Sequence, residues 1–286
     1  MSQNYISDRF SFSHDLLPFI KKYIGATFVI KYGGSVMKND LFKLKVINDI
    51  IFLYSLGIKI ILVHGGGPFI NEWLSKLNIL PKFKNGIRVT DSITMEIVEM
   101  VLVGKVNTSL LYLLNQNSIP AIGLSGKDCN LFVASSLFDS PDNLVGKIDS
   151  INNKILKILL SNNCIPVIAS VASGVDNEAY NVNADTVAGI IAQSLCADKL
   201  ILLTDTPGVM LDFNDNSTLI KELNISDIQK FKKDGIISGG MIPKVDCCVN
   251  ALYGDVKSTH IIDGSISHAL LCELLTLDRI GSMIVL

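Results

Sequence analysis

Short apolar runs alternate along the chain with segments in which apolar residues recur every three or four positions. Runs such as Ile58–Val63 and Leu200–Thr204 have the length of buried strands, and the segments between them have the period of helices. Strands that alternate with helices, each strand being almost continuously apolar, are typical of a parallel sheet buried on both faces. The expected fold class is therefore α/β, with a mainly parallel central sheet sandwiched by helices.

The pattern also predicts where the elements lie. Strands are expected at residues 27–32, 58–63, 119–124, 165–170, 199–204, 258–262 and 282–285. Helices are expected at residues 41–56, 68–77, 92–114, 151–160, 183–196, 225–233, 241–253 and 266–275. Residues 82–89 are expected to form a short hairpin or lid, and residues 125–150 to form small hairpins.

An amphipathic helix is predicted at residues 14–23, before the first strand, because its apolar residues form one stripe. No linker rich in Pro, Ser or Gly divides the rest of the chain, and no repeat of solenoid period occurs. We therefore expect an N-terminal helix extension at 1–25 and one continuous sandwich, with an N-lobe at 26–176 and a C-lobe at 177–286. Ligands of open α/β sheets bind beyond the carboxyl ends of the strands, so the chemistry is expected there.

Composition excludes several classes of function. The 286 residues are 49% hydrophobic and 18% charged, with a net charge of −2, which favours neither nucleic acid nor a membrane surface as a partner. The longest apolar runs are too short for a membrane span, and no secretory signal precedes them. Six cysteines without a Cys-x-x-Cys pattern indicate a reducing compartment, and four histidines without metal-ligand spacing argue against a zinc site. All but three of the 25 basic residues are lysine, as expected of an AT-rich plastid or bacterial genome.

Two glycine motifs follow predicted strands. Lys31 precedes Gly33-Gly34, where backbone N–H groups and an ammonium group could approach phosphate oxygens, although a plain turn with a solvated lysine would look the same. The run His64-Gly65-Gly66-Gly67-Pro68 opens a helix. Three consecutive glycines cost chain entropy, so an anion cradle is favoured over tight packing of helix on strand.

Two asparagines and an acid begin the helix predicted at 183–196. Asn181, Asn183 and Asp185 exceed what a helix cap requires, and the two amides could bind an acylamino acid while Asp185 orients nearby lysines. Arg88 is one of only three arginines and could hold a carboxylate through two parallel hydrogen bonds; a surface ion pair is the simpler alternative.

Two further segments lie towards the C-terminus. In Ser238-Gly239-Gly240-Met241-Ile242-Pro243-Lys244, Lys244 lies near a helix start, where developing phosphoryl charge would be stabilised, unless it is merely solvated. The turn with Thr204, Asp205 and Gly208 could contact a nucleotide or be a simple turn. No Walker loop, no Gly-x-Gly-x-x-Gly after a strand and no nucleophile elbow occurs in the sequence.

These motifs, in this order and from about residue 14 to 285, resemble the amino-acid kinase family, in particular its members that phosphorylate N-acetyl-L-glutamate. The resemblance implies transfer of a phosphoryl group from ATP, with Mg²⁺, to the side-chain carboxylate of N-acetyl-L-glutamate in arginine biosynthesis. By position, Lys31 and Lys244 would stabilise the transition state and Asp185 would organise them. Gly66, Gly67, Arg88 and Asn181 would hold the acylamino acid, and the nucleotide would lie near Gly33, Gly34, Thr204, Asp205 and Gly208.

The N-terminal helix and the segment from Ser267 to Met283 resemble those of the arginine-inhibited members, which assemble as hexamers, trimers of dimers. The resemblance thus implies inhibition by arginine, a homo-hexamer and, by analogy alone, binding of the PII signalling protein. It implies the stroma of a plastid, with a plastid-encoded chain, or a bacterial cytoplasm. The alternatives are a family member acting on glutamate, aspartate, carbamate or UMP, and a nucleotide- or arginine-sensing module without catalysis. A dehydrogenase is disfavoured, because the sequence lacks the glycine fingerprint of that class.

Overall fold

The computed structural model describes residues 16–84, 87–138, 140 and 142–286. The first two residues of the helix predicted at 14–23 lie outside the described residues, as do Asn85 and Gly86 of the predicted hairpin. Residues 16–23 are helical and are called α1 here.

The strands lie close to the predicted positions. In chain order they are β1 (Thr27–Tyr32), β2 (Lys59–His64), β3 (Phe83–Lys84), β4 (Ile87–Arg88), β5 (Ala121–Ser125), β6 (Phe132–Ser136), β7 (Gly146–Ile151), β8 (Ile165–Ala169), β9 (Val171–Gly174), β10 (Ala179–Asn181), β11 (Lys199–Thr204), β12 (Glu222–Asn224), β13 (Ser258–Asp263) and β14 (Ser282–Val285).

The helices also agree with the apolar periodicity. After α1 they are α2 (Gly34–Met37), α3 (Asp40–Ser55), α4 (Gly67–Lys76), α5 (Ser92–Glu99), α6 (Thr108–Gln116), α7 (Lys154–Ser161), α8 (Ala184–Ser194), α9 (Ile225–Lys233), α10 (Met241–Tyr253) and α11 (Ala269–Leu275). Helices α5 and α6 are joined without a break by a π-helical segment, Met100–Asn107.

The main sheet has eight strands in the order β12-β14-β13-β11-β1-β2-β8-β5. All neighbours run parallel except β13 and β14, which confirms the predicted mainly parallel sheet. Strand β1 is central, because it pairs with β2 on one side and with β11 on the other. Its Phe28, Ile30 and Tyr32 face one core cluster and its Val29 faces the other, so apolar residues are needed on both faces.

A second sheet, in the order β10-β9-β6-β7, lies beside the main one. Strands β6 and β7 correspond to the hairpins expected within 125–150, and β3 with β4 to the hairpin expected at 82–89. The β9–β10 hairpin, β12 and α2 were not predicted. One main sheet includes strands from both sides of residue 176, and the division into lobes at that position remains a prediction.

The long helix Ser92–Gln116 is long and apolar enough to cross a membrane by length and composition. Its Val98, Leu102, Leu110 and Leu114 are buried in the core, as in the central helix of a globular domain. The apolar stripe of α1 is divided, because Tyr23 is buried in the core while Leu17 and Ile24 are exposed.

Candidate functional site

The site is organised around Asp185, the second residue of α8. The side-chain oxygen of Asn183 caps this helix, accepting hydrogen bonds from the N–H groups of Asp185 (2.8 Å) and Thr186 (3.3 Å). The contacts of its side-chain oxygen make Asn183 a helix cap. Its predicted role in binding a ligand stays a prediction. Helix α8 begins at the carboxyl edge of the sheet, so the Asp185 carboxylate lies where ligands of such sheets bind.

Lys31 and Lys244 both contact this carboxylate. The Lys31 Nζ atom lies 2.8 Å from Oδ1 of Asp185, and the Lys244 Nζ atom lies 3.1 Å from Oδ2. Burial alone would raise the pKa of Asp185, but the two ammonium groups outweigh burial and lower that pKa to about 2. Two cations thus share one anion, and an excess of positive charge faces any ligand bound beside them.

Close packing of α8 on α10 brings Lys244 to this position. A Cβ atom at Gly189 of α8 would lie 2.7 Å from the Sγ atom of Cys247 in α10, so the contact requires glycine. The Cys247 thiol also donates a hydrogen bond to the main-chain oxygen of Asp185, 2.9 Å away. Neither residue was singled out from the sequence, because nothing local marks such a contact.

The two predicted glycine loops touch each other. A Cβ atom at Gly34 would lie 2.8 Å from the Cδ atom of Pro68 and 3.3 Å from the Cα atom of Gly66. A Cβ atom at Gly33 would lie 2.7 Å from the carbonyl oxygen of Leu203, to which the Gly33 N–H donates. Glycine at both positions therefore lets the ends of β1, β2 and β11 converge.

Gly66 and Gly67 differ in what surrounds them. A Cβ atom at Gly66 would lie 2.6 Å from Cδ2 of Leu102, in the π-helical segment, whereas a Cβ atom at Gly67 would meet nothing within 4 Å. Tight packing, the alternative to an anion cradle, thus accounts for the glycine at position 66, whereas Gly67 borders open space. In the described part of the chain, the N–H groups of Gly66 and Gly67 donate to no protein acceptor, so they are available to an anion.

A buried polar pair fixes the start of this loop. His64 is fully buried, and burial lowers its pKa to about 4, so the imidazole is neutral. Its Nδ1 atom lies 3.1 Å from the Gly65 oxygen and its Nε2 atom lies 3.0 Å from Nδ2 of Asn107, which also donates to the Val167 oxygen. Sequence reasoning missed Asn107; a polar residue among the apolar residues of a long helix is the signal that could have found it.

Arg88 does not form a surface ion pair. It is buried, and its Nη2 group donates to the Gly67 oxygen (3.3 Å) and to Oδ1 of Asn71 (2.5 Å), while its guanidinium stacks on Phe83. Among the described residues, no carboxylate lies within ion-pair distance of Arg88, and its buried Nη1 atom has no hydrogen-bond partner. A buried cation that no protein anion neutralises is suited to an anionic ligand.

Asn181 lies beside Arg88 through an intermediate residue that the sequence reasoning missed. The Asn181 Nδ2 group donates to the Thr90 hydroxyl (3.1 Å), and that hydroxyl donates to the main-chain oxygen of Arg88 (3.2 Å). Two of the residues predicted to hold the acylamino acid, Arg88 and Asn181, are therefore brought together, at the side of the glycine loop remote from β11.

A cavity of about 470 Å³ lies on the other side of Lys244. Its lining includes the predicted Asp205 and Gly208 and the unpredicted Met210 and Phe213. Gly208 has a φ of +151°, and a Cβ atom there would lie 2.5 Å from Oγ of Ser282, so glycine is required for both backbone and packing. Thr204 is buried at the end of β11 and donates to Oδ1 of Asp205 (3.2 Å).

A second cavity, of about 520 Å³, lies between α1 and the C-terminal segment. It contains a buried network in which the Lys199 Nζ atom lies 3.0 Å from Nε2 of His260, whose Nδ1 atom lies 2.7 Å from Glu273. Burial lowers the pKa of His260 to about 4, and burial together with Lys22 lowers the pKa of Lys199 to about 8. The sequence analysis had singled out both elements that border this cavity, the N-terminal helix, with Lys22 and Tyr23, and the C-terminal segment, with Glu273 and Arg279.

Within residues 16–84, 87–138, 140 and 142–286, no group of three or more His, Cys, Asp or Glu side chains could hold a metal ion. The Asp185 carboxylate is already shared by two lysines. The described residues therefore provide no all-protein metal cage at this site.

Comparisons with known proteins give a family and several relatives. Residues 26–263 match the Amino acid kinase family. An acetylglutamate kinase of Gracilaria tenuistipitata var. liui is 61% identical over 280 residues, covering 98% of this chain and 98% of that protein. An acetylglutamate kinase of Thermosynechococcus vestitus is 52% identical, covering 98% of this chain and 95% of that protein. The relatives include proteins of red algae and of cyanobacteria.

Among solved structures, N-acetylglutamate synthase from Neisseria gonorrhoeae, complexed with coenzyme A and N-acetyl-glutamate, superposes with a TM-score of 0.85. The match covers 96% of this chain and 63% of that chain. At 24% identity the likeness concerns the fold alone.

Proposed function

Because the chain belongs to the amino acid kinase family, we propose that it transfers the γ-phosphoryl group of ATP to the side-chain carboxylate of N-acetyl-L-glutamate. The products are an acyl phosphate, N-acetyl-L-glutamyl 5-phosphate, and ADP. Near-complete matches to acetylglutamate kinases support this reaction over the alternatives within the family. The same family membership makes the chain a kinase that uses ATP.

The reaction needs charge stabilisation more than proton transfer. The attacking carboxylate is ionised at neutral pH, so no general base is required, and the obstacle is repulsion between two anions and charge on the transferring oxygens. We assign Lys31 and Lys244 to these oxygens and Asp185 to the orientation of both ammonium groups. This assignment is supported by the single carboxylate that both lysines contact.

The acceptor is assigned to the side of the site where Arg88 lies. The unneutralised guanidinium of Arg88 is suited to the α-carboxylate, and the free N–H groups of Gly66 and Gly67 to the reacting carboxylate. We place the acylamino group beside Asn181. The cavity beside Lys244, which Asp205 and Gly208 line, takes the nucleotide. Gly33, Gly34 and Thr204 are assigned to the nucleotide as well. Asn183 keeps its helix-capping contact in this arrangement.

Mg²⁺ is proposed to enter bound to the phosphates of ATP. The ion usually keeps water and phosphate ligands instead of using an all-protein cage, and the described residues provide no such cage. No step of the mechanism is assigned to a protein-held metal.

The convergence of Lys31 and Lys244 on Asp185 carries the proposal. The test is hydroxylamine trapping of an acyl phosphate from ATP and N-acetyl-L-glutamate. Parallel measurement of ADP release with glutamate, aspartate, carbamate and UMP separates the rival acceptors. Turnover of one of these four in preference to N-acetyl-L-glutamate contradicts the proposed substrate, and turnover of none supports a sensing module instead.

Inhibition by arginine is also proposed, as a property of the cavity beside α1. The cavity is lined by cations, among them Lys199 and Arg279, and by the anions Asp198 and Glu273, so it can bind a ligand that carries a carboxylate and cationic groups. Such inhibition fits an enzyme of arginine biosynthesis, since the end product would then limit its own synthesis. Activity unaffected by millimolar arginine contradicts this proposal.

We also propose an assembly and a location. A homo-hexamer, a trimer of dimers, is supported by Leu17 and Ile24, which remain exposed on and just after α1. Light scattering on the intact chain and on Leu17→Glu measures the assembly, and an unchanged mass in the variant contradicts a role for this helix. Binding of a PII signalling protein and residence in a plastid stroma or bacterial cytoplasm are proposed from the red-algal and cyanobacterial relatives.

A further inference from the structure

Thr90 joins three segments of the chain at the acceptor side of the site. It is fully buried, and all its polar groups have partners. Its N–H donates to Oδ1 of Asn143 (2.9 Å), and its carbonyl oxygen accepts from the Leu144 N–H (2.6 Å). Its hydroxyl is bonded both to the Arg88 main-chain oxygen (3.2 Å) and to the Asn181 amide (3.1 Å).

The chemistry of these partners determines the direction of each hydrogen bond. A hydroxyl has one proton to donate, and the main-chain oxygen of Arg88 can only accept. Both bonds form together only when the hydroxyl donates its proton to the Arg88 oxygen and accepts from Asn181, because a turned Asn181 amide would offer a second acceptor for the same proton. The group that Asn181 presents to Thr90 is then its NH₂ group, as the structure has it.

The orientation of the Asn181 amide follows. With Nδ2 held by Thr90, the carbonyl oxygen Oδ1 points along the other branch of the amide. Among the described residues, the one hydrogen bond of this side chain runs from Nδ2 to Thr90, which leaves Oδ1 without a donor. The main-chain N–H of Asn181 donates to the Leu144 oxygen (2.9 Å). Asn181 thus offers a ligand an acceptor in a set direction.

We propose that Thr90 is a positioning residue that makes the site select an N–H group in the acceptor substrate. The Thr90 hydroxyl holds Asn181 so that Oδ1 faces the acylated nitrogen, whose N–H donates to it. An ester oxygen in place of that N–H would face Oδ1, and these two hydrogen-bond acceptors would repel each other. This inference rests on the proposed function, since it assigns the acylamino group of that substrate to Asn181.

The test compares N-acetyl-L-glutamate with 2-acetoxyglutarate, which has an ester oxygen in place of the amide N–H. The wild-type enzyme is expected to prefer the amide in kcat/KM by about tenfold or more. Thr90→Val keeps the shape but removes the hydroxyl, so the Asn181 amide can turn and offer NH₂ to the ester. We expect the preference to fall to about two- to threefold, while Thr90→Ser keeps the wild-type preference.

Thr259→Val is the matched control, because Thr259 is a fully buried threonine of β13 whose loss should leave the preference unchanged. A Thr90→Val enzyme that retains the wild-type preference overturns the inference, and so does a Thr90→Ser enzyme that loses it. If Thr90→Val does not fold, the same comparison is made with Thr90→Ala. Absence of N-acetyl-L-glutamate turnover in the wild type would instead refute the proposed function, so the two failures are distinguishable.

Discussion

Lys31 and Lys244 contact different oxygens of one carboxylate, that of Asp185, at 2.8 and 3.1 Å. They come from the central strand β1 and from the start of α10, so strand order and helix packing both have to be correct for them to meet. The position of the two lysines therefore depends on the whole fold. We expect replacement of either lysine to lower the catalytic rate more than it lowers stability.

We predict that Lys31→Ala and Lys244→Ala each lower kcat by about a hundredfold or more, since removal of one donor to developing charge costs about 3 kcal/mol. Acyl phosphate formation measures the rate, and thermal unfolding measures the fold. Lys76→Ala, which removes an exposed lysine paired within α4, is the control expected to retain activity. Near-wild-type turnover in either site variant refutes the assigned role.

Asp185→Asn should destabilise the protein by about 3 kcal/mol, because two largely buried ammonium groups lose their shared anion. The effect should depend on pH in a defined direction. The pKa of Asp185 is lowered to about 2, so its contribution is present above the unfolded-state pKa of about 4 and is lost as the pH falls towards 2. Chemical unfolding of both proteins should show a constant difference from pH 8 to 5 and a shrinking one below pH 4. A difference that grows on acidification contradicts the sign.

Gly66 and Gly67 should respond differently to alanine. Gly66→Ala places a methyl group 2.6 Å from Leu102, so unfolding free energy should fall, on the order of 1 kcal/mol. Gly67→Ala meets no protein atom within 4 Å, so stability should stay within about 0.5 kcal/mol while the KM for the acceptor rises. Each variant is the control for the other. Equal destabilisation by both would contradict the open space beside Gly67, and an unchanged KM in Gly67→Ala would contradict its role in binding the acceptor.

The proposed inhibition by arginine should weaken as the pH rises through about 8. Burial lowers the pKa of Lys199 to about that value, so the ammonium that faces the cavity beside α1 is present below this pH and lost above it. The measurement is the inhibition constant for arginine between pH 7 and 9. Arginine should inhibit the Lys199→Met variant only weakly at every pH in this range. If inhibition of the variant had the wild-type pH profile, Lys199 would be excluded as the titrating group.

Sequence reasoning located most of the fold because the apolar period is a strong signal in buried strands and helices. Strand β11 and helices α9 and α10 have the predicted bounds. The β9–β10 hairpin was missed because its strands are short, and residues 165–170 had been predicted as one strand. Its role is to place Asn181 beside Thr90.

Site residues with a local motif were predicted, whereas those defined by distant contacts were not. Asp185 and the glycine loops are marked by neighbouring residues in the sequence. The roles of Thr90 and Asn107 depend on partners as far as 91 and 43 positions away, respectively, which no local pattern reveals. The simpler alternative for Arg88, a surface ion pair, could be rejected only with coordinates, because burial and the lack of an acidic partner are properties of the fold.

The close approach of Gly34 to Gly66 determines how far apart the two glycine loops lie. With no side chain at Gly34, the loop after β1 approaches the Cα atom of Gly66 directly. The loop proposed to bind the nucleotide thus rests against the loop proposed to bind the acceptor, and in that arrangement a larger residue at Gly34 would separate the two substrates. In-line transfer requires the donor and the acceptor to lie close together. The absence of a side chain at Gly34 would then set the distance that the phosphoryl group must cross.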